Sequence, residues 1–554
     1  MNASGRSAIS LTSNRGRTIR EYLHTFAIEP RGGTRAVAIA ATLASLAAFW
    51  WFYTRGETLL YGDAVAHLHI ARRVFDSQTP GFRQLGTVWL PLPHLLMLPF
   101  LLSDWLWRTG IGGAIPSMVA FVFGAVGIFR LVHDGAEGTI ALVSPLRAGW
   151  LAALVYMANP NLLYLQTTAM TEPLYLTLMI WAVVFFADFV RSIRRGLPAF
   201  AADAVRRCAW CLMGCAATRY DGWFLTACMV PLVLLIGQRG WNVNVLRRAL
   251  KQFVLIAAAF PALWMAYNLV VFQNPLEFAT GQYSARAIAE RTTPPGAPRH
   301  PGASHLGVAG LHFMKAANLN VGVERLEKAI PLMAVAGAIF AVLLFHSLRP
   351  AMLLWMPLPF YALSIAYGSV PIFVPEWWPF SYYNVRYGLQ LLPAYATFTA
   401  AGFVFLAGKL PITGRRAILA ILLAAVAGSY GLAWRSVPIS LREARVNSAK
   451  KMEFERQLAA ELAKLPPNAV ILMHTGSHPY ALQAAGIPFK RTINEGNWKL
   501  WQAALAAPGE HVQYLVTFGT DEVARSVAEN QDALQPAGEV VVDGYRAALY
   551  RTKQ

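Results

Sequence analysis

Apolar runs long enough to cross hydrocarbon recur through roughly the first four fifths of this 554-residue chain. A helix needs about 20 residues to span a bilayer. In lipid every backbone polar group must be satisfied within its own helix or a closed barrel. Repeated runs of this kind dictate a polytopic α-helical membrane protein. Composition agrees, with 56% hydrophobic and only 14% charged residues. The 48 Lys and Arg outnumber the 29 Asp and Glu, a balance that in a soluble protein points to nucleic acid. Here the basic residues gather in short loops between apolar runs, where they set orientation by staying cytoplasmic. No nucleic-acid partner is expected.

The first 35 residues form a basic, Ser- and Gly-rich arm, expected to be cytoplasmic, and the apolar run after it reads as a retained anchor. About eleven spans are expected, at 36–53, 115–131, 150–159, 174–190, 208–218, 223–236, 253–272, 331–345, 353–367, 388–406 and 417–434. The clusters Arg191 to Arg207, Arg239 to Lys251 and Lys409 to Arg416 mark cytoplasmic ends, provided the proline-broken segment 89–107 does not cross. On that count a transmembrane domain covers 36–435 in the inner (plasma) membrane, with its first outer loop at 54–92. From 436 to 554 the composition becomes that of a soluble domain. A charged amphipathic helix over 447–465 is followed by short apolar strands alternating with helices and by a final hairpin. This predicts an extracytoplasmic α/β domain. Cys208, Cys211 and Cys215 lie at helical spacing on one apolar segment and read as packing thiols.

The same topology brings Asp63, His67, His94, Glu172, Arg219, Asp221, Asn274, Glu376, Asn384 and Arg386 to one membrane face. A carboxylate at that depth is costly unless it faces water, a partner or a ligand. Asp63 can take a proton from an acceptor hydroxyl, and arginines offer planar forks suited to phosphate oxygens. Together they fit glycosyl transfer from a polyprenyl-phosphate sugar. Asp63 and Glu172 are the catalytic candidates; Arg386, Arg219, Asp221, His67, His94 and Asn384 are the donor phosphate and sugar-binding candidates. Each has a plainer reading. Glu172 heads a span where the helix dipole favours an acid, and Arg219 and Asp221 are close enough to pair with each other. Arg386 stands apart from acidic residues along the chain, which favours a phosphate role. Asp63 and His67, at i and i+4, leave open a His–carboxylate hydrogen bond or a divalent metal site, the former being commoner. No cofactor is assigned.

Along the chain, YGDAVAHLHIARRV, GTVWLPLPHLLMLP, ANPNLLYLQTTAMTEPLY, AATRYDGWFL, NPLEFATGQY and NVRYGLQLLPAYA occur in that order. Over most of residues 35–434 the sequence resembles the GT-C superfamily of membrane glycosyltransferases. The nearest branch holds the protein O-mannosyltransferases and the lipid A aminoarabinose transferases of the cell envelope. The resemblance implies an inverting hexosyl or pentosyl transferase with a polyprenyl-phosphate donor. It puts Asp63 in the place of the first-loop acid, Glu172 in that of a later span-heading acid, and Arg386 near the phosphate. Where the protein O-mannosyltransferases carry an Asp-Glu pair, Asp63 is followed by Ala64, which weakens the case for protein mannosylation. The acceptor is a glycan, a lipid or a protein, and membrane lipids surround the chain. Two rival classes are a secondary transporter, which places ionisable residues near the midplane of repeated halves, and a non-catalytic membrane assembly protein.

Overall fold

The computed structural model describes residues 33–136, 144–292, 296, 298–344, 346–476 and 478–553. Most of the basic arm and the last residue of the expected span 331–345 lie outside them. Among the described residues, nine helical stretches are long and apolar enough to cross a membrane. They are Thr34–Tyr53, Ile111–Ala136, Glu172–Arg194, Tyr220–Gly240, Asn244–Phe272, Glu324–Leu344, Arg349–Tyr367, Val385–Gly408 and Ile412–Leu462. The chain is a multi-pass helical membrane protein. The two other expected spans fall on helices Pro145–Met157 and Pro198–Thr218. The first has 13 residues and rises only about 20 Å. The second carries Asp203, Arg206 and Arg207, so neither combines the length and the composition of the nine.

Burial separates centre from periphery. Val385–Gly408 has 94% of its apolar window buried and Glu172–Arg194 has 78%, whereas Asn244–Phe272 has 17%. The first two are packed on all sides and the third turns most of its surface outward. At one end of the bundle, Ile111–Ala136 and Glu172–Arg194 are tied by Arg130 to Asp188 (2.6 Å) and by Arg191 to Asp134 (3.4 Å) and to Asp188. Cys208 and Cys215 are buried free thiols in the helix packing. Segment 89–107 forms helices Leu92–Leu101 and Asp104–Arg108. The longer rises about 15 Å, half the ~30 Å hydrocarbon thickness. Its C-terminal carbonyl, Leu101 O, accepts from Arg72 Nη1 at 2.5 Å.

Two glycines set close approaches next to polar residues. A Cβ on Gly222 would meet the Cys215 backbone at 2.3 Å, so helices Pro198–Thr218 and Tyr220–Gly237 fold back tightly at Arg219. A Cβ on Gly388 would meet Ala316 backbone at 2.3 Å, which presses the 3-10 turn Val385–Leu391 onto helix Leu306–Leu319.

After the break at Ser436–Pro438, helix Ile439–Leu462 begins eight residues before the expected 447. Its first turns are buried against the bundle, at Ile439, Ser440, Leu441, Glu443 and Ala444, so polar residues there do not mark a surface. Beyond it lies a five-stranded sheet, β1 (Ile471–Met473), β2 (Thr492–Ile493), β3 (Tyr514–Phe518), β4 (Leu534–Val542) and β5 (Tyr545–Thr552), in the order β2-β1-β3-β5-β4. β1 is parallel to β2 and β3, while β5 runs antiparallel to β3 and β4.

This sheet region is seated on the loop that follows the first span. Gln483 bonds His69 (3.0 Å) and Trp107 O (2.7 Å), and Asn497 donates to Ser77 (3.1 Å) and Thr79 (2.8 Å). Lys490 N donates to Asp76 (3.1 Å), and Gln84 donates to Gly496 O (3.0 Å). The segment that follows Asp63 is thereby tied to the sheet region at His69, Asp76, Ser77, Thr79 and Gln84.

Candidate active site

Asp63 lies in the first turn of helix Gly62–Arg73, where the helix dipole favours an acid. Its Oδ2 accepts from Arg386 Nη2 at 2.5 Å. Arg386 comes from the turn that Gly388 presses inward. Its Nη1 donates to Glu443 Oε1 at 2.9 Å and its backbone N to Glu443 Oε2 at 3.2 Å, while Nε lies 3.3 Å from Glu172 Oε1. Glu172 opens the Glu172–Arg194 helix and is shared with Arg219 Nη1 at 3.4 Å. Arg219 also reaches Asp221 (3.3 Å), Thr171 Oγ1 (3.0 Å) and the Tyr361 hydroxyl (2.9 Å), which donates in turn to Asp221 at 3.1 Å. The Tyr387 ring stands between the two guanidiniums, 4.7 Å from Arg219 and 5.0 Å from Arg386.

Four carboxylates therefore surround two guanidiniums, a formal excess of two negative charges. Exposure sorts them. The side chains of Glu172, Asp221 and Glu443 are 0, 2 and 1% exposed, whereas that of Asp63 is 44% exposed. Three acids anchor the arginines and the fourth opens outward. One oxygen each of Glu172 and Asp221 is buried without a partner. A buried polar floor lies beneath. Asn159 and Asn161 donate to Asn320 O (2.8 and 3.0 Å), Asn320 donates to Val385 O (2.8 Å), and Ser440 N donates to Asn161 (2.9 Å). Tyr61, whose phenol burial and the Glu443 charge push well above its ordinary range, donates to Ser440 O at 2.7 Å.

The structure thus brings Asp63, Glu172, Arg219, Asp221 and Arg386 into one network. His67 and His94 adjoin it as a bonded pair, Nδ1 to Nε2 at 2.8 Å, with both side chains buried. Burial, then the charges of Arg219 and Arg386, holds His67 down to about 3, so its imidazole is neutral at neutral pH. Neither form of Asp63–His67 contact expected from the i and i+4 spacing is present, because His67 turns to His94 and Asp63 to Arg386. Among the described residues, no group of three or more His, Cys, Asp or Glu side chains is arranged to hold a metal ion.

Asn384 takes a left-handed backbone (φ 55°) at the start of the Val385–Leu391 turn and donates its amide to Pro371 O at 3.1 Å, so its side chain shapes the turn. Asn274 bonds Glu277 and Thr280, and Glu376 pairs with Lys315 at 2.5 Å; both lie outside the network. Arg386 is isolated from acids only along the chain, since in space it meets three. The sequence reading missed Glu443, Tyr361, Tyr387 and Thr171. The signal for Glu443 is faint: it is the first acid after the last apolar run, four residues ahead of the 447–465 stretch that reads as a charged amphipathic helix.

No protein-family model and no curated protein matches the chain. Solved structures do. ArnT from Cupriavidus metallidurans bound to undecaprenyl phosphate superposes with a TM-score of 0.52 at 14% identity, covering 93% of this chain and 97% of that one. Its apo state gives 0.50 at 13%, over 91% and 97%. An apo oligosaccharyltransferase from Archaeoglobus fulgidus is a more distant likeness, with a TM-score of 0.45 at 12% over 88% and 69%. The likeness is one of fold: over 93% of its length the chain folds as ArnT does.

Proposed function

We propose that the protein is a glycosyltransferase that moves a sugar from a polyprenyl-phosphate donor to a hydroxyl acceptor, with Asp63 as the general base. The observation that supports this is the contrast in exposure, in which three buried acids hold Arg386 and Arg219 while Asp63 alone of the four is exposed. The GT-C-type fold and the order of the motifs support it, as does the undecaprenyl phosphate bound in the ArnT structure.

In the resting site the Arg386 guanidinium faces acids on all its edges. An anionic donor is met by exchange. The Nη2 edge passes from Asp63 to the donor phosphate, and Arg219 supports the phosphate from across Tyr387. Released from Arg386, Asp63 accepts the proton of the attacking hydroxyl. The acceptor oxygen bonds to the anomeric carbon as its bond to the phosphate oxygen breaks, and polyprenyl phosphate departs with that electron pair. A single displacement inverts the anomeric centre. Glu172 and Glu443 stay buried and hold the arginines in register, while the neutral His67–His94 pair packs beside them. In this reading the site faces the extracytoplasmic side of the inner membrane.

The test is consumption of donor. Purified protein is incubated with a membrane-lipid extract containing polyprenyl-phosphate sugars, and polyprenyl phosphate is followed by mass spectrometry. Release of polyprenyl phosphate with an inverted glycoside as product is expected. A donor pool left untouched across acceptor glycans, lipids and peptides contradicts the reading.

A further inference from the structure

A groove of about 770 Å³ lies between helices Pro198–Thr218 and Asn244–Phe272, lined by Arg206, Trp210, Asn244, Val245, Arg248, Gln252, Leu255 and Ile256. It is remote from the Asp63 network. Arg206 lies 13 residues before Arg219, about 20 Å along the helix axis. No acidic side chain lines it. Arg206 spends Nε on the neutral amide of Gln252 (2.8 Å), and among the described residues the Arg248 guanidinium forms no hydrogen bond or ion pair. The nearby acid on the same helix, Asp203, is taken by Arg207 at 2.9 Å. This contrasts with the neutralised Arg130–Asp188–Arg191–Asp134 quartet, where every guanidinium meets carboxylate.

The other half of the groove is apolar. Trp210 is 58% and Leu255 is 71% exposed, on helices whose outward faces meet lipid. From Asn244 to Ile256 the lining spans 13 residues, a rise of about 18 Å, close to one leaflet of the hydrocarbon core. Guanidiniums at the basic end and an apolar track below them match one class of occupant. Basic pockets between transmembrane helices take anionic headgroups, and guanidinium forks fit phosphate oxygens.

We propose that this groove binds a net-anionic phospholipid, of the phosphatidylglycerol kind, in the leaflet at the basic end of the bundle, with its phosphate between Arg206 and Arg248 and an acyl chain along Trp210, Leu255 and Ile256. The site is independent of the glycosyl-transfer reading.

The full chain in detergent is titrated with phosphatidylglycerol, phosphatidylcholine of the same tails, or inorganic phosphate. Thermal midpoint and lipid adducts in native mass spectrometry are read out. Expected are a saturable rise in midpoint and a one-to-one adduct with phosphatidylglycerol, and at least a tenfold weaker adduct with phosphatidylcholine. The Arg206→Gln/Arg248→Gln double variant weakens the phosphatidylglycerol adduct at least tenfold. Arg248→Gln alone, at an exposed and unpaired side chain, leaves the lipid-free midpoint unchanged and weakens the adduct severalfold. Equal retention of both lipids means unselective annular lipid and overturns the proposal. An equal midpoint rise with inorganic phosphate means a free-anion site and overturns it too, as does an adduct that Arg248→Gln leaves undiminished.

Discussion

Replacing Glu443 by glutamine removes one buried negative charge from beneath Arg386 while keeping the side chain's size. Glu443 is 1% exposed and holds Arg386 twice, at 2.9 Å through Nη1 and at 3.2 Å through the backbone N–H. A hydrogen bond to a charged group contributes about 1.5–3 kcal/mol, and stripping a buried ion of its partner costs about 3–5 kcal/mol. Arg386 keeps Asp63 at 2.5 Å and Glu172 at 3.3 Å, so it is not stranded and the lower range applies. In a chain this long, a loss of about 1.5–3 kcal/mol lowers the thermal midpoint by only a few degrees, and the variant stays folded. Activity falls further than stability, because the guanidinium that orients Asp63 is now held on fewer sides. A 1 Å displacement of a positioned group costs on the order of 100-fold in rate. Single-turnover transfer of a labelled sugar from a polyprenyl-phosphate donor, with thermal melting alongside, measures both. Glu443→Gln with wild-type turnover and an unchanged midpoint would refute the claim that Arg386 is anchored from the Ile439–Leu462 helix.

Three further outcomes follow from the same geometry. Arg386→Lys puts a single point charge where a planar fork meets three acids. Transfer is expected to drop roughly tenfold or more, since each charge-assisted hydrogen bond lost is worth about 1.5–3 kcal/mol, read as initial rate at saturating donor. His67 has its folded-state value at about 3, below the ordinary ~6.5 of an unfolded histidine, so between those values the unfolded chain binds the extra proton. The stabilisation is complete above pH ~6.5 and is lost as pH falls toward 3. Melting from pH 7 to pH 5 should show a falling midpoint, and His67→Gln should show a shallower slope. Gly388→Ala places a methyl 2.3 Å from the Ala316 backbone. Overpacking of about 1–3 kcal/mol should lower the midpoint and, two residues from Arg386, slow transfer; an unchanged melting curve would contradict the close packing.

Much of this arrangement is visible along the chain. Asp63, Glu172, Arg219, Asp221 and Arg386 stand out because ionisable residues beside apolar spans are costly and few, and all five meet in one network. Glu443 is hidden for the opposite reason. It sits among Arg442, Arg445, Lys450 and Lys451, in the stretch from 436 whose composition reads as soluble and just ahead of the expected 447–465 helix, and only tertiary packing buries it. The i and i+4 spacing of Asp63 and His67 puts both on one side of a helix but does not say which neighbour each prefers. Arg386 and His94, brought by distant segments, decide that. Sharing a membrane face is also weaker than sharing a site, as Asn274 and Glu376 show by bonding elsewhere. Helices Pro145–Met157 and Pro198–Thr218 blur the expected count of spans, because one is short and the other charged, and both are held by neighbours. Strand β2, with two residues, is set by its pairing to β1 and has no pattern of its own.

In the proposed reaction Asp63 is the base that takes the acceptor's proton. Its most direct test is single-turnover sugar transfer by Asp63→Asn beside wild type, at saturating donor and with folding verified by melting. Asparagine keeps the shape and removes the proton-accepting charge. A loss of about 10²–10⁴-fold, the range of general-base catalysis, is expected, with donor binding retained. Transfer by Asp63→Asn at the wild-type rate would contradict it.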